Sequence, residues 1–312
     1  MKESPPFASP QPVVALAACT SYTPQAVSAA VGSVLEASQW RPPRGLVLVK
    51  PNLLRALPLA CSHPLVVAAA CQWLLDYGAR PFVADSPGFG TAQGVAQAIG
   101  LQQALQPLHL SVHALDDPVP LPLHGGGQWG IARAALEAEA LLSLPRVKAH
   151  CQMRVTLAVK NLFGCICGLG KVLAHTRQGN SLEHFTASIV DLWQALPPVA
   201  GLADGIIAMH GTGPAKGSPF PLGCVGAAAD AVALDVALYR LLGLQPAQVP
   251  LWAALCKADV PAALLPARYP LCQPTAFSSA GFCLPEDLVE ISFKPQRMAA
   301  SIVRRLWRAV VG

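Results

Sequence analysis

The chain has 312 residues, 53% hydrophobic and 12% charged, with a net charge of +5; this excludes a disordered or fibrous protein and leaves length for one large domain or two lobes. Mean hydropathy is +0.43, but no run of about 18 uncharged apolar residues occurs; the longest candidate, 225–244, is interrupted by Asp230, Asp235 and Arg240, so no transmembrane segment is expected. The ten cysteines stand scattered among apolar residues without a C-x-x-C, which excludes a zinc ribbon or a ferredoxin-type run and reads most of them as reduced core thiols.

In chain order, 13–19 (VVALAAC) reads as a buried first strand. Leu16-Ala17-Ala18-Cys19 has the letters of a lipoprotein cleavage box, but the start Met1-Lys2-Glu3 and the prolines at 5, 6, 10 and 12 do not suit a secretory leader. The expected compartment is the cytoplasm. Residues 45–54 (GLVLVKPNLL), 80–87 (RPFVADSP), 110–115 (LSVHAL) and 139–147 (EALLSLPRV) read as further strands, with helices over 23–38, 63–77 and 91–106. Thr23-Pro24 and His63-Pro64 look like helix entrances with proline in the first turn, and Gly78 like a stop. Helices follow over 154–163 and 181–196, then a strand over 201–209 (GLADGIIAM) and helices over 230–242 and 246–258. The basic stretch 294–312 reads as an amphipathic helix that docks on its own domain or at a subunit interface, with contact to a membrane surface as the alternative. This alternation predicts an α/β fold: a mainly parallel sheet flanked by helices in Rossmann-like layers.

In such folds ligands bind at the carboxyl ends of the strands. Lys50-Pro51-Asn52, Asp85-Ser86-Pro87-Gly88, Lys148-Ala149-His150 and 209–213 fall there. The charge is concentrated in the same region. Between Ala140 and Leu182 there is no Asp or Glu, while Arg146, Lys148, Arg154, Lys160, Lys171 and Arg177 supply six positive charges, so the remainder of the chain is −1. These basic residues lie in apolar, glycine-rich sequence rather than among interleaved aromatics, which suits a small concave anion site and not nucleic acid.

The stretch VTLAVKNLFGCICGLGKVLAH, 155–175, focuses that expectation. A lysine among apolar residues needs an anion or several acceptors. On a helix over 154–163, Thr156 and Lys160 share one face, and Gly164, Gly168 and Gly170 form a loop whose amides can approach an anion. Lys50, Asn52, Lys148, Asn161 and Lys171 join the expected anion-binding set. A second glycine-rich loop, HGTGPAKGS, adds His210, Gly211 and Gly213 as a backbone-amide nest, with a plain turn as the alternative. Asp204 before it reads as a base, a metal ligand or a cap. Cys165 and Cys167 read as packing first and as metal ligands second. His109, His113 and His124 read as structural or exposed.

The combination VKPNLL, SHPLVVAAACQWLLDYGA, SLPRVKAH, TLAVKNLFG, His175, DGIIAMHGTGPAKG and AAADAVALDVALYRLLG resembles the family catalogued as domain of unknown function 362, in order from Val13 to Gly243. The resemblance implies one α/β domain over 1–312, with 1–142 and 143–312 as alternative lobes. Many members carry an appended ferredoxin module; its cysteines are absent here, so no separate ferredoxin domain is expected and an iron-sulfur cluster is less expected than another metal. More distantly, the chain is similar to the nickel-pincer lactate racemases, whose catalytic lysine is followed about fifteen residues later by a histidine. That similarity implies that Lys160 bears a cofactor and His175 faces a metal, although the racemase glycine-glycine-lysine signature is missing.

Three readings result. In the first, the protein is an enzyme, isomerase-like or oxidoreductase, acting on a small carboxylate or phosphate: Lys160 and Lys148 hold the anion, and His150 or His175 moves a proton. In the second it is an iron-sulfur or metal-handling redox protein holding iron or another metal through Cys165, Cys167, His175 and Cys151, with Asp204 as a further ligand; the racemase similarity would make that metal nickel. In the third it is a non-catalytic anion-binding module. A homo-oligomer or a redox partner fits the first two.

Overall fold

The structure, a computed structural model, describes residues 11–167 and 181–288. The apolar runs of the first half become β1 (Val14–Ala18), β2 (Leu46–Pro51), β3 (Arg80–Asp85) and β4 (Val112–Ala114). Helix α1 (Pro24–Ala37) starts where the Thr23 side chain accepts from Ala26 N, and α2 (Pro64–Asp76) where His63 Nδ1 accepts from Leu65 N. Both carry proline in the first turn, where its missing N–H costs nothing. The helix expected over 91–106 is two, α3 (Ala92–Ala98) and α4 (Leu101–Leu105), because Gly100 between them takes a φ of 79°, which only glycine adopts cheaply.

β5 (Pro118–Pro122) and β6 (Gln128–Ala132) form a separate antiparallel ribbon that its prolines had disguised as loop. After α5 (Arg133–Glu137), the strand expected over 139–147 divides at Pro145 into β7 (Ala140–Leu144) and β8 (Arg146–His150), since proline cannot donate to the ladder. β8 turns back as β9 (Arg154–Thr156), with Lys148 opposite Thr156 and His150 opposite Arg154.

That hairpin corrects the helix expected over 154–163. Residues 154–156 are strand, Leu157 is extended, and α6 (Ala158–Asn161) begins where the Asp235 carboxylate accepts from Ala158 N and Val159 N at 2.7 and 2.9 Å. Thr156 and Lys160 therefore share no helix face. The chain continues through α7 (Leu182–Ala195), β10 (Val199–His210), β11 (Ser218–Phe220), β12 (Cys224–Ala228), α8 (Ala231–Leu241), α9 (Pro250–Lys257) and α10 (Pro261–Leu264).

The sheet order is β1-β12-β10-β7-β2-β3-β4, with β8 also paired to β10. From β10 through β7, β2 and β3 to β4 all pairings are parallel; β12 is antiparallel to both its neighbours. Alternation along the strands feeds two cores: Val47 and Val49 pack with the residues of α1 to α4, whereas Leu48 joins those of α7, α8 and α9. Each fully buried Val or Leu contributes about 1.5–3 kcal/mol. The result is helices on both faces of a mostly parallel sheet, with β2, β3, β8 and β10 delivering their carboxyl ends to one side.

Candidate functional site

Two buried ion pairs and one further lysine organise that side. Lys50 Nζ lies 2.7 Å from Asp85 Oδ1, both almost fully buried. Its other donors reach Pro51 O at 2.9 Å and Asn161 Oδ1 at 3.2 Å. Asp85 in turn accepts from Leu53 N and Ser86 N, each at 2.8 Å. Gly164 packs so closely here that a Cβ would land on Lys50 Nζ and Asp85 Oδ1. Asn161 is also saturated: Oδ1 accepts from Lys50 and from Asn52 Nδ2 at 3.1 Å, and Nδ2 donates to Lys50 O at 3.0 Å and Ser143 Oγ at 3.1 Å.

The second pair is Arg146 with Asp204, Nη2 to Oδ2, at 3.1 Å. Arg146 also donates to Cys61 O, Tyr22 Oη and Ile207 O. Asp204 accepts from Tyr22 Oη at 2.7 Å, His63 N at 3.2 Å and Ile206 N at 3.3 Å. Tyr22 stacks on His63 with ring centroids 3.6 Å apart, and burial pulls the His63 imidazole below its usual range. Both Asp204 oxygens are filled, so the expected base or metal ligand is instead the anchor of a mid-strand ion pair. Arg146, counted in the sequence only as charge, is its missing partner.

Lys148 differs from both. Its ammonium is buried and donates to Asn52 Oδ1 at 2.6 Å and Ala60 O at 2.8 Å, two neutral oxygens. Among the described residues no carboxylate pairs with it and its third donor has no hydrogen-bond partner. Burial, the dominant cause, depresses its pKa from 10.5 to about 7. Opposite it in the β8–β9 register, Thr156 Oγ1 is buried without a hydrogen-bond partner, as are both polar atoms of Gln152 in the turn. Each such buried orphan costs about 1–3 kcal/mol. His150 Nδ1 accepts from Gln152 N at 3.1 Å and Met153 N at 3.3 Å, which places the proton of the neutral ring on Nε2.

The expected site residues are thus sorted by the fold. Lys50, Asn52, Lys148 and Asn161 meet in one network, but Lys50 and Asn161 spend their capacity on the protein itself and serve as its frame. Lys160 Nζ sits over the rings of Phe163 and Phe185, at 4.1 and 5.1 Å from their centroids, on the aromatic side of α6. His210 is not part of the network. Its ring lies against Phe220 and Phe282, and its Nδ1 accepts from Cys283 N at 3.3 Å. Gly211 N donates to Cys283 O, and Gly213 presses on the Ala149 backbone, its carbonyl accepting from Cys151 N. The 210–217 loop joins β10 to β11 and packs on the end of β8.

Lys171 and His175 lie outside the described residues, as does the 294–312 stretch. Cys165 and Cys167 are both buried thiols. Among the described residues no three His, Cys, Asp or Glu side chains assemble as a metal donor set. No helix among them is long and apolar enough to cross a membrane. A groove of about 550 Å3 lined by Trp193, Pro198, Asp230 and Pro261 opens at the amino end of β10, the end opposite Lys148.

Comparison with known proteins adds a family. The family model described as "Domain of unknown function (DUF362)" matches residues 47–240, the stretch from β2 into α8 that holds the network. The thylakoid-associated protein sll1697 of Synechocystis is 33% identical over 278 residues, covering 85% of this chain and 84% of that protein. Among solved structures, the lactate racemase apoprotein of Thermoanaerobacterium thermosaccharolyticum has a TM-score of 0.47 and 13% identity, over 74% of this chain and 59% of the other. A Thermotoga maritima protein has a TM-score of 0.37 and 10% identity, over 62% and 52%.

Proposed function

The chain belongs to the family described as domain of unknown function (DUF362), and from that premise we propose that it binds a small anion at the carboxyl ends of its strands, with Lys148 as the charged contact. One observation carries the reading: the buried patch holds three basic groups, Lys50, Arg146 and Lys148, bonded to two carboxylates, Asp85 and Asp204, and Lys148 is the one held only by neutral oxygens. An ammonium so placed is stable when an anion joins it and otherwise surrenders its proton near neutral pH. Thr156 Oγ1, opposite it and unsatisfied, supplies a neutral contact.

The chemistry this arrangement suits is proton transfer on the bound anion. An amine that titrates near 7 can take or give a proton at physiological pH, and His150, on the same face of β8 two residues on, presents a ring whose Nδ1 is already occupied. Lys160, beside Asn161 on α6, is the second amine of the proposed enzyme. An isomerase or an oxidoreductase acting on a carboxylate or phosphate would use these groups. Residence in the cytoplasm is part of the proposal.

Calorimetric titration with sulfate, which keeps its charge across the pH range, tests the reading. Wild type should bind at pH 6 with affinity falling above pH 7, and Lys148→Met should lose at least tenfold, about 1.4 kcal/mol. Equal binding by the variant refutes the assignment.

A further inference from the structure

Gln152 is 1% exposed, and neither its Oε1 nor its Nε2 has a hydrogen-bond partner among the described residues; Thr156 Oγ1 is in the same condition. Buried amides and hydroxyls are satisfied in the large majority of cases. An apolar side chain of the same shape would hold this hairpin at least as well, so the fold itself does not explain these residues.

Their placement does. One hairpin, β8 to β9, carries Lys148 and Thr156 as register partners and His150 opposite Arg154, and the Gln152 and Met153 amides close on His150 Nδ1. A cation, an imidazole, a hydroxyl and an amide are therefore gathered within nine residues, 148–156, of which the hydroxyl and the amide are the two left unsatisfied. A glutamine amide has one donating and one accepting side, so only a group that can do both, or two neighbouring groups, will satisfy it.

We propose that Gln152 and Thr156 are specificity determinants that hydrogen-bond a neutral polar group of the ligand, which makes the ligand a small organic anion carrying a hydroxyl or amide beside its charged end. The inference rests on the anion reading above and adds the class of ligand. A site built around buried polar groups rejects an analogue that leaves them empty far more strongly than an apolar pocket rejects a missing methylene.

The test uses the full chain, dialysed free of small molecules, as wild type, Gln152→Met and Thr156→Val. Thermal melts should place both variants above wild type by about 2 °C or more; a Tm equal to or below wild type overturns the inference, because the polar groups then serve the fold. Binding of malate and succinate, which differ by one hydroxyl, is the second arm. Malate should bind wild type at least about tenfold more tightly, and Gln152→Met should lose that preference while still binding succinate. Equal affinities in wild type, absence of malate binding, or a preference that survives Gln152→Met each overturn it. Loss of sulfate binding in Lys148→Met alongside any of these results removes only the specificity claim, whereas undiminished sulfate binding removes the anion reading itself.

Discussion

At the scale of single residues, Gly164 and Lys148 show how the site constrains its letters. Gly164 leaves room for the Lys50–Asp85 pair, which a side chain would occupy. Gly164→Ala should separate the pair and leave buried charges poorly matched, an effect of about 3–5 kcal/mol, read as a lower denaturant midpoint with an unchanged m-value. Lys148 sets a pH dependence. Its pKa is about 7 in the folded chain against the ordinary lysine value of 10.5, so between these values the folded chain holds fewer protons than the unfolded one and stability rises with pH. Melting temperatures of wild type minus Lys148→Met should therefore climb from pH 7 to pH 9. A flat difference would mean that the amine stays charged.

At the scale of elements, the short helix α6 depends on a residue some 75 positions away. Burial raises Asp235 to about 8, yet its carboxylate caps Ala158 and Val159 and so fixes the start of the segment that carries Lys160 and Asn161. Asp235→Ala should cost about 0.5–2 kcal/mol as a lost cap and weaken sulfate binding, with Asp235→Asn retaining more of both. Because the folded pKa is raised, this group's contribution is present below about pH 4 and lost as pH rises through 8, opposite in sign to that of Lys148. The sequence could not reveal this cap, since Asp235, the second Asp in AAADAVALDVALYRLLG, reads as an ordinary helix residue. It also concealed β9: the letters RVTLAVKNLF suit a helix, but a positive φ of 64° at Arg154 is incompatible with a right-handed helix there and pairing with β8 makes the segment strand.

At the scale of the molecule, local pattern was enough for β1 to β4 and for α1 and α2, because alternation, proline entrances and glycine stops are encoded within each segment. What pattern leaves out is long-range: the split of β7 from β8, the β5–β6 ribbon, and which charges meet. Lys50, Asn52 and Lys148 were legible as strand-end residues and Asn161 as part of the basic helical stretch, and the four meet in one network; Arg146 with Asp204 and the orphaned Gln152 depend on tertiary contacts and were not. That His210 stands apart from this network was not legible, because a glycine-rich loop after a strand looks alike whichever neighbour it packs on. The Lys50–Asp85 pair joins β2 to β3 and the Arg146–Asp204 pair joins β8 to β10, while Cys61 O and His63 N tie the loop before α2 to the second pair. A double-mutant cycle on Lys50→Met and Asp85→Asn should show each single change strongly destabilising and the pair together less so than their sum; strict additivity in equilibrium unfolding would contradict that coupling.

The central claim is that Lys148 is a buried amine waiting for an anion. Titration of the lysine side chains by carbon-13 NMR, with the Lys148 resonance identified from the Lys148→Arg spectrum, reads it directly. One lysine should titrate near pH 7 in the free chain and shift upward when sulfate is added. A Lys148 that titrates above pH 10 and ignores sulfate would contradict the account.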